Sequence, residues 1–145
     1  MTVIVINGVF MPDTLTDGWS EFDTGVVTDA EMFDLSSDTD PRDLLPYLQQ
    51  ATAFRVNFPS SADGRGSSIA RYLRISGFSG HLRARGHILA DQYPLILRSG
   101  FDDVEIDEAL AKRMPEAQWS EAYGRIADTY QAKLRGHPRH NRRAA

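Results

Sequence analysis

The chain has 145 residues, a formal net charge of −4, a hydrophobic fraction of 41% and no cysteine. This composition is typical of an ordinary soluble protein, and we expect residues 1–134 to form a single domain. The absence of cysteine excludes disulfides, a thiolate nucleophile and cysteine ligands for zinc or an iron–sulfur cluster. No apolar run reaches membrane-spanning length and the first residues lack the features of a signal peptide, so we expect a cytoplasmic protein without a membrane partner.

Charge is distributed unevenly along the chain. Residues 1–50 contain ten acids and one base, whereas residues 51–100 contain seven arginines and two acids. The positive middle part favours an anionic ligand or an acidic protein partner, and we expect no nucleic-acid partner. The alternative is that these arginines lie on solvated helix surfaces and neutralise the acidic N-terminal part.

The N-terminal third begins with a predicted β-hairpin. Asn7-Gly8 lies between two β-prone runs within residues 3–11, which is the strongest short hairpin signal. Residues 31–35 predict a strand, and residues 41–50 predict a helix that begins at Pro41 after an Asp40 N-cap.

From residue 53 onward a repeated pattern predicts the fold class. Residues 73–78 and 97–101 share Leu-Arg followed by Ser-Gly-Phe, each after a helix-like run and before a β-prone segment. We therefore predict an α/β fold with a βαβαβ core of parallel strands near 53–58, 81–85 and 103–107, and helices near 67–76 and 91–99. A half (β/α) barrel is the alternative.

The remaining sequence is helical and then basic. Residues 108–114 and 116–134 predict C-terminal helices, and residues 135–145 predict a disordered basic tail. In the second helix of the core Asp91 would act either as the N-cap, which would leave Pro94 in the first turn, or as a ligand residue. His137 and His140 lie in the tail and do not indicate a metal site.

The predicted binding site is a glycine-rich loop, residues 59–68, between the first core strand and its helix. The amide groups at a helix start and the Arg65 guanidinium suit an anion, while a tight turn capped by Asp63 and Ser67 is the alternative. Loops after parallel strands open on one edge of a sheet, where ligands gather. The candidate ligand-binding residues are Asp63, Gly64, Arg65, Gly66, Ser67, Ser68, Arg83, Arg85 and Gln92, and the candidate proton-transfer residues are Asp63, His87 and Asp91. We predict no metal-binding site, and the sequence does not indicate which cofactor, if any, the protein binds.

Several of these runs resemble a known bacterial family. Residues 58–74 around Asp-Gly-Arg-Gly, residues 77–84 with Leu-Arg-Ala, and Asp91-Gln92 followed by residues 98–101 are similar to the signature of domain of unknown function 934. The resemblance covers mainly residues 54–107. Members are often labelled probable oxidoreductases of sulfite reduction, which implies a role in sulfur assimilation. The chain departs from the family pattern at Ser61, Ser67 and His87.

Two functions follow from the residues and the resemblance together. In the first, the protein is an accessory of sulfite reduction whose strand ends bind a small anion such as a sulfo or phospho group. In the second, it is a non-catalytic partner that docks on sulfite reductase or its electron donor through an arginine-rich face. A concave pocket with polar groups favours the first, and a flat arginine-rich face favours the second. Neither supplies a reaction, and the sequence leaves open whether the protein is an enzyme.

Overall fold

The structure is a computed structural model that describes residues 2–14 and 17–134. The predicted basic tail, with His137 and His140, lies outside the described residues. The described chain forms a mixed α/β fold, as predicted. Its strands are β1 (Thr2–Ile6), β2 (Val9–Pro12), β3 (Trp19–Glu21), β4 (Met32–Leu35), β5 (Ala53–Phe58), β6 (His81–Gly86) and β7 (Asp103–Asp107). Its α-helices are α1 (Arg65–Ile75), α2 (Tyr93–Ser99), α3 (Glu108–Arg113) and α4 (Glu116–Leu134).

All the strands belong to one sheet with the order β2-β1-β7-β6-β5-β4-β3. Strands β3 to β7 are parallel to one another, whereas β1 is antiparallel to both β2 and β7. The predicted parallel core of β5, β6 and β7 is therefore confirmed. These parallel strands are neighbours in chain order, so right-handed connections carry their helices to the same face of the sheet. A half (β/α) barrel, the alternative prediction, also places β5, β6 and β7 side by side in chain order, so both predictions share this strand order.

One face of the sheet, here called the helix face, forms the core. Alternate residues of the parallel strands point to it and are buried: Phe33, Leu35, Phe54, Val56, Phe58, Leu82, Ala84, Val104 and Ile106. Ile69, Ala70 and Leu73 of α1 pack in the same cluster, and Trp119 of α4 contacts Tyr93 of α2 edge to face. Burial of this continuous apolar layer fixes the register of every strand, because a shift by one residue would expose it.

The opposite face, here called the charged face, carries the other alternate residues. Asp34, Arg55, Arg83 and Asp103 lie directly opposite one another across β4, β5, β6 and β7. Glu105 is the next charged residue toward the carboxyl end of β7, and it is only 2% exposed. The connection from β2 to β3 joins the two edges of the sheet, and its Asp13 Oδ1 accepts a hydrogen bond from Arg83 Nη1 at 3.0 Å. The ring of Trp19 lies 4.6 Å from the Arg55 guanidinium.

The hairpin and the helix ends confirm the local predictions. Asn7 and Gly8 have φ values of 52° and 79°, as a two-residue hairpin turn requires. Helix α1 ends at the Ser76-Gly77 step and α2 ends at Gly100, the two glycines that the repeat places there.

Two local predictions are wrong in detail. The helix predicted over residues 41–50 is a 3-10 helix, Pro41–Tyr47, rather than an α-helix, because the ring of Pro46 would clash with the carbonyl group four residues earlier in an α-helix. Asp40 does cap that helix, through the backbone N–H of Arg42. Asp91 is not the N-cap of α2: it lies in a short 3-10 turn, Ala90–Gln92, and α2 begins only at Tyr93.

The helices of the described residues are too short or too polar to cross a lipid bilayer.

Candidate functional site

The loops that follow β5 and β6 meet at the carboxyl edge of the sheet. Because these strands are parallel neighbours, the backbone N–H of His87 donates to Phe58 O at 3.0 Å immediately beyond their last paired residues. Gln92 joins the two loops through its side chain. Its amide nitrogen donates to Ser61 O, and its Oε1 accepts from Leu89 N at 2.9 Å. Gln92, predicted as a ligand residue, thus holds the loops together.

Two glycines allow the backbone to pass close to Phe58. A Cβ at Gly86, whose φ is +119°, would lie 2.4 Å from Phe58 O, and a Cβ at Gly66 would lie 2.5 Å from the Phe58 ring. Phe58 is buried and contacts Phe101 edge to face, so its ring has little space to move. Gly66 therefore has a packing role in addition to any role in the predicted loop.

Asp63 and Arg65 hold each other at the start of α1. Arg65 donates to Asp63 from its backbone N–H at 2.9 Å, from Nε at 3.1 Å and from Nη2 at 3.0 Å. Its Nη2 also donates to Ser37 Oγ at 3.3 Å, which ties the loop to the end of β4. The hydrogen bonds from Arg65 lower the pKa of Asp63 far below its usual range, so Asp63 is a carboxylate at neutral pH.

The predicted anion-binding amides lie beside this pair. The Asp63 side chain is 8% exposed and that of Arg65 is 62% exposed, so solvent reaches the guanidinium. Within the described part of the chain, the backbone N–H groups of Gly66 and Ser67 have no acceptor, as is usual in a first helical turn. The anion-binding role of Gly64, Arg65, Gly66, Ser67 and Ser68 stays a prediction.

The other two predicted arginines are held on the charged face. The Arg83 side chain is 3% exposed and donates to Asp103 at 3.0 and 3.1 Å, to Asp13 at 3.0 Å and to Glu105 at 3.3 Å. Arg85 is 41% exposed, and its Nε lies 3.2 Å from Glu105 Oε2. The structure therefore does not bring Arg83 or Arg85 into contact with the Asp63–Arg65 pair.

A cleft of about 440 Å³, here called the His87 cleft, opens between the two loops and the α3 region. It is lined by Pro59, Ser60, Ser61, His87, Leu89, Leu110, Arg113 and Met114. None of these residues is acidic. Among the described residues, neither His87 nor Arg113 has a hydrogen-bond or ion-pair partner for its side chain.

His87 was predicted as a site residue, and Ser60 and Ser61 lie in the predicted binding loop, but Arg113 was not predicted as part of the site. The sequence did hold a signal for Arg113, because β7 is the third strand of the predicted parallel core and the helix after it begins at the same sheet edge. Arg113 is the last residue of that helix.

A second cleft, of about 250 Å³ and here called the Asp34 cleft, lies toward β3 and β4. It is lined by Glu21, Asp34, Leu35, Ser36, Ser37, Asn57 and Pro59. Asp34 already accepts hydrogen bonds from Arg55 at 2.9 Å and from Asn57 at 2.7 Å. This cleft is acidic, and only Pro59 is shared with the His87 cleft.

The three candidate proton-transfer residues have different surroundings and do not form one group. His87 lines the cleft, Asp63 is held by Arg65, and Asp91 is exposed in the 3-10 turn. No hydrogen bond or ion pair joins any two of these side chains within the described ranges. The same ranges contain no group of three or more acidic, histidine or cysteine residues suited to a metal ion.

Comparisons with known proteins give one result. The family model described as "Bacterial protein of unknown function (DUF934)" matches residues 33–140, a longer stretch than the resemblance seen in the sequence motifs. Searches of the curated proteins and of the solved structures find no match. Because the matched stretch covers more than half of the 145 residues, the chain belongs to the DUF934 family of bacterial proteins of unknown function.

Proposed function

We propose that this protein is a cytoplasmic accessory of sulfite reduction that binds a small anionic ligand in the His87 cleft. The supporting observation is the chemistry of the cleft: Arg113, His87 and the hydroxyls of Ser60 and Ser61 line it, and no carboxylate does. In a chain with a net charge of −4, a cleft that has a free arginine and no acid is locally favourable for negative charge.

The polar groups of the cleft supply the donors that an oxyanion needs. Arg113 offers a planar fork of N–H donors that fits a sulfo or phospho group. Ser60 Oγ accepts from Ala62 N at 3.0 Å, so its O–H remains available to donate to a ligand. The cleft lies outside the carboxyl ends of parallel strands, which is where ligands of α/β proteins usually bind.

The connection with sulfite reduction rests on the family resemblance. The chain contains no cysteine, so the redox steps of sulfite reduction would fall to sulfite reductase or to its electron donor. We propose a binding role for this protein and name no reaction. Docking through an arginine-rich face has less support, because Arg55, Arg83 and Arg85 are each paired with acids of the same sheet.

Thermal unfolding with oxyanions tests the proposal. Sulfite, sulfate or phosphate at about 10 mM and constant ionic strength should raise the melting temperature. A Kd of about 1 mM would stabilise the native state by about 1.4 kcal/mol, which raises the melting temperature by roughly 3–6 °C. The Arg113→Gln variant should lose this response, whereas Arg71→Gln, which removes an exposed arginine of α1 outside the cleft, should keep it. An equal response in all three proteins would contradict the proposal, because sulfate and phosphate also stabilise proteins non-specifically.

A further inference from the structure

We infer that the ligand of the His87 cleft is an organic molecule that carries a sulfo or phospho group on an apolar body, rather than a bare inorganic oxyanion. This inference rests on the proposed anion-binding function. It specifies the class of ligand that the same cleft takes.

The size of the cleft is the first argument. Its volume of about 440 Å³ lies within the range of clefts that hold organic ligands, roughly 300–1,000 Å³. A five-atom oxyanion occupies roughly the space of two or three water molecules, at about 30 Å³ each. An inorganic anion bound by Arg113 would therefore leave most of the cleft filled with water.

The composition of the lining is the second argument. Besides its polar residues, the cleft is lined by Pro59, Leu89, Leu110 and Met114. Leu89 is 43% exposed in the structure, so a ligand with an apolar body would remove its surface from water. This burial stabilises a complex in proportion to the apolar area covered, and a bare oxyanion cannot provide it.

The apolar part of the lining is also held in place. Met114 Sδ accepts a hydrogen bond from Ala90 N at 3.3 Å, and Met114 O accepts one from the Trp119 indole at 3.1 Å. Leu110 is 6% exposed, and its backbone N–H is capped by Asp107 at 2.7 Å. Because these contacts are made within the chain itself, the protein holds this wall of the cleft in place and a ligand gains from that preorganisation.

Binding measurements with small model compounds test the inference. Isothermal titration of the full chain would compare phenyl phosphate and benzenesulfonate with inorganic phosphate and sulfate, and with neutral phenol. We expect at least one of the two aromatic anions to bind about tenfold more tightly than its inorganic counterpart, and the better of the two identifies the preferred acidic group. Phenol should bind much more weakly than either aromatic anion.

Matched variants separate the two halves of the ligand. Leu89→Ala should weaken binding of the better aromatic anion several-fold and leave inorganic phosphate unaffected. Leu95→Ala is its control, because Leu95 has a similar exposure of 47% but lies on α2 outside the cleft. Arg113→Gln should weaken all the anions, whereas Arg71→Gln should weaken none.

The possible failures are distinguishable. If inorganic and aromatic anions bind equally well, with the same dependence on Arg113, the inference is wrong and the anion-binding function stands. If phenol binds as tightly as phenyl phosphate and Arg113→Gln has no effect, the cleft takes a neutral ligand and the proposed function is wrong. If no compound binds, both are overturned.

Discussion

The two faces of the sheet are built from the same strands but by different chemistry. On the helix face, Phe54, Leu82 and Val104 are buried among other apolar side chains. On the charged face, Arg55 and Arg83 lie directly opposite each other on β5 and β6 and are also nearly buried, at 9% and 2% exposure. One face is stabilised by removal of apolar surface from water, and the other depends on the pairing of every charge.

The charged face shows how two neighbouring arginines can be accommodated. Like charges directly opposite each other in a sheet are destabilising by themselves. Here Glu105 Oε1 lies 3.2 Å from Arg55 and 3.3 Å from Arg83, so one carboxylate bridges both. Asp34 and Asp103 complete the row at its two ends. The two faces therefore respond differently to a substitution. Truncation of an apolar side chain on the helix face leaves a cavity, whereas removal of one charge on the charged face leaves its buried partners unpaired.

Replacement of Arg83 should have the largest effect. Arg83→Met leaves Asp103, Glu105 and Asp13 without their shared partner in a nearly dry environment. Loss of one partner of a buried ion pair costs about 3–5 kcal/mol of the free energy of unfolding. Urea unfolding followed by circular dichroism would measure it, with the adjacent Leu82→Ala on the helix face, at about 2–5 kcal/mol, for comparison.

A second change separates the two mechanisms. In the double variant Arg83→Met with Asp103→Leu, two facing charges are replaced by apolar groups, and we expect part of the stability to return. No neighbouring charge change should rescue Leu82→Ala, because its cost is a cavity. If the double variant loses more free energy of unfolding than the two single variants lose together, the charged face does not behave as a paired network.

Acid should weaken the charged face before it weakens the helix face. Burial raises the pKa of Asp103, but hydrogen bonds from His81 and Arg83 outweigh it and lower the pKa below the value of an unfolded chain. The stability that this shift contributes is therefore present above the unfolded pKa of about 3.9 and is lost as the pH falls through the lower folded pKa. Asp103→Asn should flatten the decline of stability with pH in this acid range, as measured by urea unfolding at a series of pH values. An unchanged slope would mean that other carboxylates cause the acid sensitivity.

Much of the fold could be predicted because its signals are local. The Asn7-Gly8 turn, the repeated Ser-Gly-Phe helix ends and the alternation between strands and helices each lie within a few residues of the element that they specify. The position of β5, β6 and β7 beside one another in the sheet then follows from short right-handed connections between them. The helix that begins at Pro41 was predicted too, but its 3-10 geometry and its early end at Tyr47 depend on the internal Pro46, whose effect the apolar pattern does not show.

The site was harder to predict because its contacts are not local. The strand positions of Arg83 and Arg85 were correct, but their partners Asp103 and Glu105 lie about twenty residues away on the next strand. Alternation along β6 places both arginines on the opposite face from Leu82 and Ala84. Arg113 was missed because its helix was assigned to the C-terminal part of the chain rather than to a third strand–helix unit.

Gly66 provides a smaller test, on the helix face. A methyl group at Gly66 would press against the buried Phe58 ring, and overpacking of this kind typically costs about 1–3 kcal/mol. Gly64 is a matched control, because a Cβ there would meet nothing within 4 Å and its φ is −87°. We therefore expect Gly66→Ala to lower the melting temperature by several degrees and Gly64→Ala to change it little. Equal effects of the two variants would show that the Phe58 ring moves aside.

Arg85 should show the smallest effect and defines the solvent boundary of the charged face. Its side chain is 41% exposed, with Glu105 at 3.2 Å and Asp34 at 3.8 Å, whereas that of Arg83 is 3% exposed. A partly solvated ion pair contributes about 0–1 kcal/mol, and Glu105 keeps Arg55 and Arg83 as partners when Arg85 is removed. Arg85→Gln should therefore reduce the free energy of unfolding by less than about 1 kcal/mol, and added salt should make the difference smaller still. Urea unfolding of this variant and of Arg83→Met at low and high ionic strength would measure both effects. A loss for Arg85→Gln as large as that for Arg83→Met, and insensitive to salt, would show that the buried network extends to the edge of the sheet.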